Sequence, residues 1–232
     1  MIKKAIFLLL LVFITSVTTS FAASDENGLR LIKVKPDREF ELAPEEHNYA
    51  FSVADSKYLI SNKGIVQWEN QKGMLKNFKL YEYETGSDAG MYITKLFYTQ
   101  FKDNLVILFE LDDMDYGAAK IVMIKKGFSE LMWIGHIPGF NLCNGLIEQN
   151  FIYIAASGFI GKLDLESGKY LWSYDDLYNK YKANIFVNIE ISGDLAAFYY
   201  LKEPIYNAKS YVLKYSKVNG KLIGCSKVKK SE

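Results

Sequence analysis

Two cysteines, two histidines and four prolines among 232 residues leave little material for several kinds of chemistry. With His47 and His136 the only histidines, there is no HExxH pattern and no His/Cys spacing suited to zinc. No GxSxG nucleophile elbow and no phosphate-cradling glycine loop occurs. Charge of one sign is also missing. The 28 Lys+Arg nearly cancel the 27 Asp+Glu, which excludes a strongly basic nucleic-acid binder that works by phosphate neutralisation. What remains is an ordinary globular composition: 50% hydrophobic, 24% charged, and 15% aromatic with 17 Tyr and 15 Phe. Aromatic richness with few prolines leans toward strands.

Met1-Ile2-Lys3-Lys4 is followed by an unbroken apolar run from Ala5 to Ile14, then small residues ending Ser20-Phe21-Ala22-Ala23. A cationic start, a greasy core and small side chains before a cut after Ala22 are the parts of a secretory signal. The run is shorter than the roughly 20 residues a spanning helix needs. The expectation is a signal over residues 1–22, an N-terminal segment 23–47, and one folded domain over 48–232. Removing Lys3 and Lys4 leaves 26 basic against 27 acidic residues. A periplasmic or secreted address in a bacterium follows as an expectation, with no membrane segment in the mature chain.

The chain repeats. Asn104–Phe109, Asn150–Ala155 and Asp194–Tyr199 share one form, with a fainter copy at Lys57–Ile60. Their second residues, Tyr58, Leu105, Phe151 and Leu195, stand 47, 46 and 44 positions apart. Each copy has an apolar run in front: Tyr49–Val53, Tyr92–Tyr98, Phe140–Ile147 and Ile185–Ile191. Each is followed by two more short runs separated by Gly, Asn or Ser turns, as at Ser167-Gly168 and Asn219-Gly220. These read as antiparallel hairpins. Four units of four strands at a period of about 45 point to an all-β, β-propeller-like fold of four blades. Val106-Ile107-Leu108-Phe109 is apolar on both faces, as a strand sandwiched between blades must be. Four units make either a small ring or an open array. In the open case the strand Leu29–Val34 would close the fold by pairing with the outer edge of the last unit. An eight-stranded outer-membrane barrel fits the length, but it needs alternating strands of about ten residues. The runs here are shorter, and the chain ends Lys227-Val-Lys-Lys-Ser-Glu232 rather than in an aromatic strand.

Gly161-Lys-Leu-Asp-Leu-Glu-Ser-Gly-Lys-Tyr-Leu-Trp172-Ser-Tyr174 resembles the repeat of quinoprotein-like (PQQ-type) β-propellers. The matching residues are Leu163-Asp164, the turn glycine Gly168 and Trp172. The resemblance implies structural roles for Asp164, Gly168 and Trp172, the last docking on the neighbouring blade. Gly224 stands at the Trp position of the last unit, so that contact is expected to be absent there. Trp133 and Trp68 lie outside the full pattern. Enzymes of that family hold a quinone with calcium on a propeller face. Nothing in this sequence matches their cofactor residues, and no cofactor is expected.

Asp112-Asp113-Met114-Asp115-Tyr116-Gly117 imitates a calcium loop, but its twelfth position counted from Asp113 is Ile124 rather than glutamate. A solvated hairpin tip is the expected reading. Cys143 and Cys225 fall on an inner and an outer strand, so both thiols are expected to be unpaired. His136, just before Pro138-Gly139, reads as a surface residue. Tyr178 and Tyr181 lie with Asp175 and Asp176 in the loop Asp175–Lys182, and Tyr206 lies in Lys202–Lys209. Tyrosines on loops favour partner contacts because they bring area with few rotors. Together with Asp112, Asp113, Asp115 and Tyr116 they form the expected contact loops for another protein. The functional expectation is an exported, non-enzymatic protein-binding module, either an immunity-type protein or an envelope assembly factor. The alternative is a small-molecule (quinone or sugar) binding protein or an enzyme on the same scaffold.

Overall fold

The computed structural model describes residues 28–113, 115–125, 130–202 and 209–228. The expected signal segment and Tyr206 lie outside the described residues.

The strands form four antiparallel sheets that follow one another along the chain. The first sheet holds β3 (Asn48–Val53), β4 (Ser56–Ser61), β5 (Ile65–Asn70) and β6 (Leu75–Lys79). The second holds β7 (Tyr92–Phe101), β8 (Asn104–Asp112), β9 (Gly117–Lys125) and β10 (Leu131–Ile137). The third holds β11 (Leu146–Glu148), β12 (Phe151–Ala156), β13 (Phe159–Asp164) and β14 (Lys169–Tyr174). The last holds β15 (Ala183–Ser192), β16 (Leu195–Lys202), β17 (Lys209–Ser216) and β18 (Leu222–Lys227), after one short helix α1 (Leu177–Tyr181). Each sheet is an up-and-down meander with its first strand innermost, which is the blade of a propeller. Four separate sheets replace the single closed sheet that an outer-membrane barrel requires.

Stacking supplies the core. Leu105, Ile107, Phe109 and Leu111 of β8 face the first sheet, and Val106 and Leu108 face the third. Ile152 and Ile154 of β12 likewise face the second sheet while Tyr153 and Ala155 face the last. The central stretches Val106–Phe109 and Ile152–Ala155 are therefore apolar on both faces, and no sheet could bury both faces alone. Three clusters join sheets one to two, two to three and three to four. Among the described residues none joins the last sheet to the first.

The first hairpin of each sheet turns on two residues: Ala54-Asp55, Lys102-Asp103, Gln149-Asn150 and Gly193-Asp194. The leading residue of each takes a positive φ of 47°, 53°, 56° and 54°, as tight hairpins demand. An Asp or Asn at the second place is the recurring mark behind the sequence period.

The N-terminal strand does not pair with the outer edge of the last sheet as expected. It splits into β1 (Leu29–Arg30) and β2 (Ile32–Val34), which pair with the inner strands β11 and β7. Beyond β2, Pro36 bridges Tyr49 of the first sheet, and Arg30 Nη2 donates to Ile189 O of the last at 2.9 Å. This lace touches all four sheets along their inner edges. Apolar burial explains the choice: Leu31 and Val34 are 2% and 6% exposed inside the inter-sheet clusters, a site that an outer edge does not offer. The apolar run Phe140–Ile147 also departs from expectation. Only Leu146–Glu148 is strand, because Gly139 (φ 94°) and Asn141 (φ 54°) turn the backbone away beforehand.

Candidate functional site: the loop end

Antiparallel meanders sort their loops. Turns between first and second, and third and fourth, strands fall at one end of the array. Turns between second and third strands, with the connections from sheet to sheet, fall at the other. All the described contact loops expected from sequence share this second end. The backbone ties the loops to one another there. Leu80 N donates to Gly64 O at 2.9 Å, Ser157 N to Phe140 O at 2.6 Å, and Leu177 N to Gly158 O at 3.0 Å. Lys120 of β9 pairs with Asp88 at 2.8 Å, pinning the first connection.

The β8–β9 turn and the connection after β10 enclose a cleft of about 250 Å³, lined by Glu110, Leu111, Asp112, Asp115, Tyr116, Gly117 and Phe140. Three carboxylates and two rings line this cleft. Tyr116 is 70% and Phe140 47% exposed, unusual for rings that have a sheet to pack on. Gly117 is required here, since a Cβ would stand 2.7 Å from Phe140 Cβ.

The carboxylates differ in role. Glu110 accepts the Leu142 N–H at 2.7 Å and pairs with Lys95 at 3.2 Å, which fastens the cleft's floor to the connection. Asp113 Oδ1 accepts the N–H groups of Asp115 and Tyr116 at 3.0 and 2.6 Å, so it shapes the turn instead of facing a ligand. Asp112 and Asp115 also line the cleft. Sequence reasoning missed Phe140, which reads as strand. Its proximity to Gly139 and Pro138 was the available signal.

Asp175, Asp176 and Tyr178 are exposed around α1, with Lys182 Nζ 5.2 Å above the Tyr178 ring. Gly158 leaves room for Tyr178, whose Cβ would lie 3.2 Å from an added methyl. Tyr181 is partly buried against the third–fourth sheet core, so it is a packing residue. The loop tyrosines thus divide between solvent and core.

Asp164 accepts Glu166 N at 3.0 Å and Ser167 Oγ at 2.8 Å, closing the β13–β14 turn. Trp172 docks on the last sheet, its Nε1 donating to Lys217 O at 3.4 Å. Trp133 does the same one sheet earlier, giving its N–H to Leu165 O at 3.0 Å and lying on Gly168. Lys162, 7% exposed, reaches the same Lys217 carbonyl at 2.8 Å, and burial lowers its pKa.

His47 is buried, stacked on Phe40 at 3.8 Å, with Nδ1 2.7 Å from Glu45 O and Nε2 3.0 Å from Ile93 O. Its ring organises the approach to β3 and is closed to a substrate. His136 sits exposed on β10, within the strand and not at the turn. Cys143 and Cys225 are both free thiols, buried and exposed respectively. Among the described residues no set of three His, Cys, Asp or Glu is placed to hold a metal, and no helix is long and apolar enough to cross a membrane.

No family model and no curated protein sequence matches this chain. Among solved structures it is similar to a quinohemoprotein alcohol dehydrogenase from Pseudomonas putida HK5, at 8% identity and TM-score 0.47 over 78% of this chain and 34% of that one. It is also similar to the WD40 domain of SCAP from fission yeast, at 11% identity and TM-score 0.45 over 86% of this chain and 53% of that domain. The chain therefore spans about a third to a half of the structures it resembles. On its own sheet order and stacking, the chain is an all-β, propeller-like array of four blades, laced by its N-terminal segment.

Proposed function

We propose that this chain is an exported, non-enzymatic module that binds another protein through its loop end. The supporting observation is the cleft at the β8–β9 turn, where two exposed rings flank carboxylates. Its volume of about 250 Å³ is below the range of roughly 300–1,000 Å³ for small-molecule pockets. A lysine or arginine side chain from a partner fits it in size and sign, with the rings adding cation–π attraction. A rigid scaffold of stacked sheets holds such loops in place without chemistry of its own. Export is the expectation carried by the Met1–Ala23 segment. With it, the concrete forms are an immunity-type protein that neutralises a toxin reaching the periplasm, and an envelope assembly factor.

The test is affinity capture from periplasmic extract with the native protein beside Tyr116→Ala and Asp115→Asn. A partner held by the native chain, weakened by salt and lost with both variants, supports the reading. Heating the protein with calcium and quinones, or with a sugar panel, is the counter-experiment. A ligand-dependent rise in midpoint without a protein partner would move the assignment to a small-molecule site. A toxin-like gene beside this one would select the immunity form.

A further inference from the structure

Among the described residues, no sheet core covers the outer faces of the first and last sheets. On the first sheet, alternation puts Tyr49, Phe51, Tyr58, Val66 and Trp68 into the core. It leaves Ala50, Leu59 and Gln67 half-buried, and Ile65 and Leu75 43% and 56% exposed, on the outer face. On the last sheet, Phe186, Ile189, Phe198, Leu213 and Tyr215 face inward. Ile185, Leu195, Ala197, Tyr199 and Leu201 remain half-buried on the outside. The turn glycines mark the same vacancy. Gly168 and Gly220 each carry the tryptophan of the preceding sheet, whereas Gly73 in the first sheet has nothing within 4 Å of where its Cβ would be.

We infer that a second copy of this chain covers both faces, the last sheet of each copy stacking on the first sheet of the other to close a ring of eight sheets. The two free faces are of opposite kind. The last sheet offers the face that, inside the chain, receives the next sheet. The first offers the face that receives the previous one. A second copy supplies both at once and continues the stacking already present at the internal junctions. Two such head-to-tail joints close under two-fold symmetry and leave no open end to grow a filament.

The area suffices. Four strands at ~4.8 Å spacing and six residues at ~3.3 Å give each face a footprint of roughly 400 Å². Two joints cover four faces, about 1,600 Å² in all, the size of a standard specific interface. Charge does not oppose contact. The first face carries Lys57 and Glu69 directly paired across strands, and the last carries Glu190 and Lys214 flanking Ala197 in one row. The joint is weaker than those within the chain, since its faces are mixed and Gly224 replaces the docking indole. The association is accordingly concentration-dependent.

The mass of the purified protein in solution, measured by light scattering across dilution, tests this directly. The expected result is a twofold mass at high concentration that falls to one chain on dilution. Ala50→Lys on the first face and Ala197→Glu on the last should each give a monomer whose unfolding midpoint matches that of the native protein at the dilution where it too is a single chain. Mixing the two variants should restore the twofold mass, because one joint is then wild type on both sides. A native protein that stays monomeric up to roughly 1 mM, the weak limit of ordinary association, overturns the inference. So does a dimer sensitive to Ala197→Glu and indifferent to Ala50→Lys, which would mean two last sheets meeting each other. A dimer untouched by both variants overturns it equally.

Discussion

The indole of Trp172 rests on Gly220 so closely that a Cβ on the glycine would stand 2.6 Å from Cγ. Gly220 also has φ +68°, where a side chain is strained in any surroundings. Gly220→Ala should therefore destabilise the fold by about 1–3 kcal/mol. Trp172, 9% exposed, should cost about 3–5 kcal/mol as Trp172→Ala. The double variant should lose less than the sum of the two, since removing the indole removes the collision. Urea unfolding of the four proteins measures this. Strict additivity would mean that the two residues are not coupled.

The Trp172–Gly220 contact joins two sheets and was expected only in outline, from the family resemblance; the hairpin of Asp164, Gly168 and Trp172 was legible because turn chemistry is written in consecutive residues. The doubly apolar strands were legible for the same reason, since Val106–Phe109 has no polar position to offer water. The lace was not. Leu29–Val34 reads as a strand, but its pairing partner depends on which inner edges stand vacant once four sheets have stacked. The repeat frame also slipped, by two residues in the first unit, where Asp55 and not Lys57 holds the turn, and by one in the second. Asn104 aligns with Asn150 and Asp194 by appearance, while the turns align Asp103 with them. At the loop end, acidity and tyrosine content were visible, whereas Phe140 beside the cleft and Tyr181 against the core follow from tertiary packing.

Arg30 is the lace's only described hydrogen bond to the last sheet. A guanidinium bond to a carbonyl is worth about 1.5–3 kcal/mol when its partner is left unsatisfied. Arg30→Met keeps the aliphatic stem and removes the donor. The expected result is faster amide exchange in β15, with the first sheet unaffected because Pro36 and Asp37 still hold it. Uniform acceleration across all four sheets would show that the lace acts on the fold as a whole.

The two thiols should differ sharply in reactivity. Cys143 is 5% exposed and burial pushes its thiol up to about 11, so almost no thiolate is present at pH 8. Cys225 is exposed on the outermost strand. Iodoacetamide at pH 8 should modify Cys225 alone in the folded protein and both residues in urea, as peptide mass mapping would record. Equal labelling without denaturant would contradict the burial of the connection before β11.

Buried phenols set the alkaline limit of the fold. Burial raises the pKa of Tyr49, Tyr81, Tyr153, Tyr170 and Tyr215, and pushes Tyr58 up to about 12. An unfolded tyrosine ionises near 10. Between that value and the folded one the native state holds more protons than the unfolded state, so stability falls as pH rises through this window. Each such tyrosine contributes a loss of about 1.4 kcal/mol per pH unit. Stability should therefore be flat with respect to these groups below pH 10 and drop steeply above it. Exposed phenols ionise gradually in the folded protein, so the buried rings should show as a second, cooperative step in phenolate absorbance that coincides with loss of the β-sheet circular dichroism signal. Complete ionisation of all 17 tyrosines with the sheets intact would mean that water reaches these rings between the stacked blades.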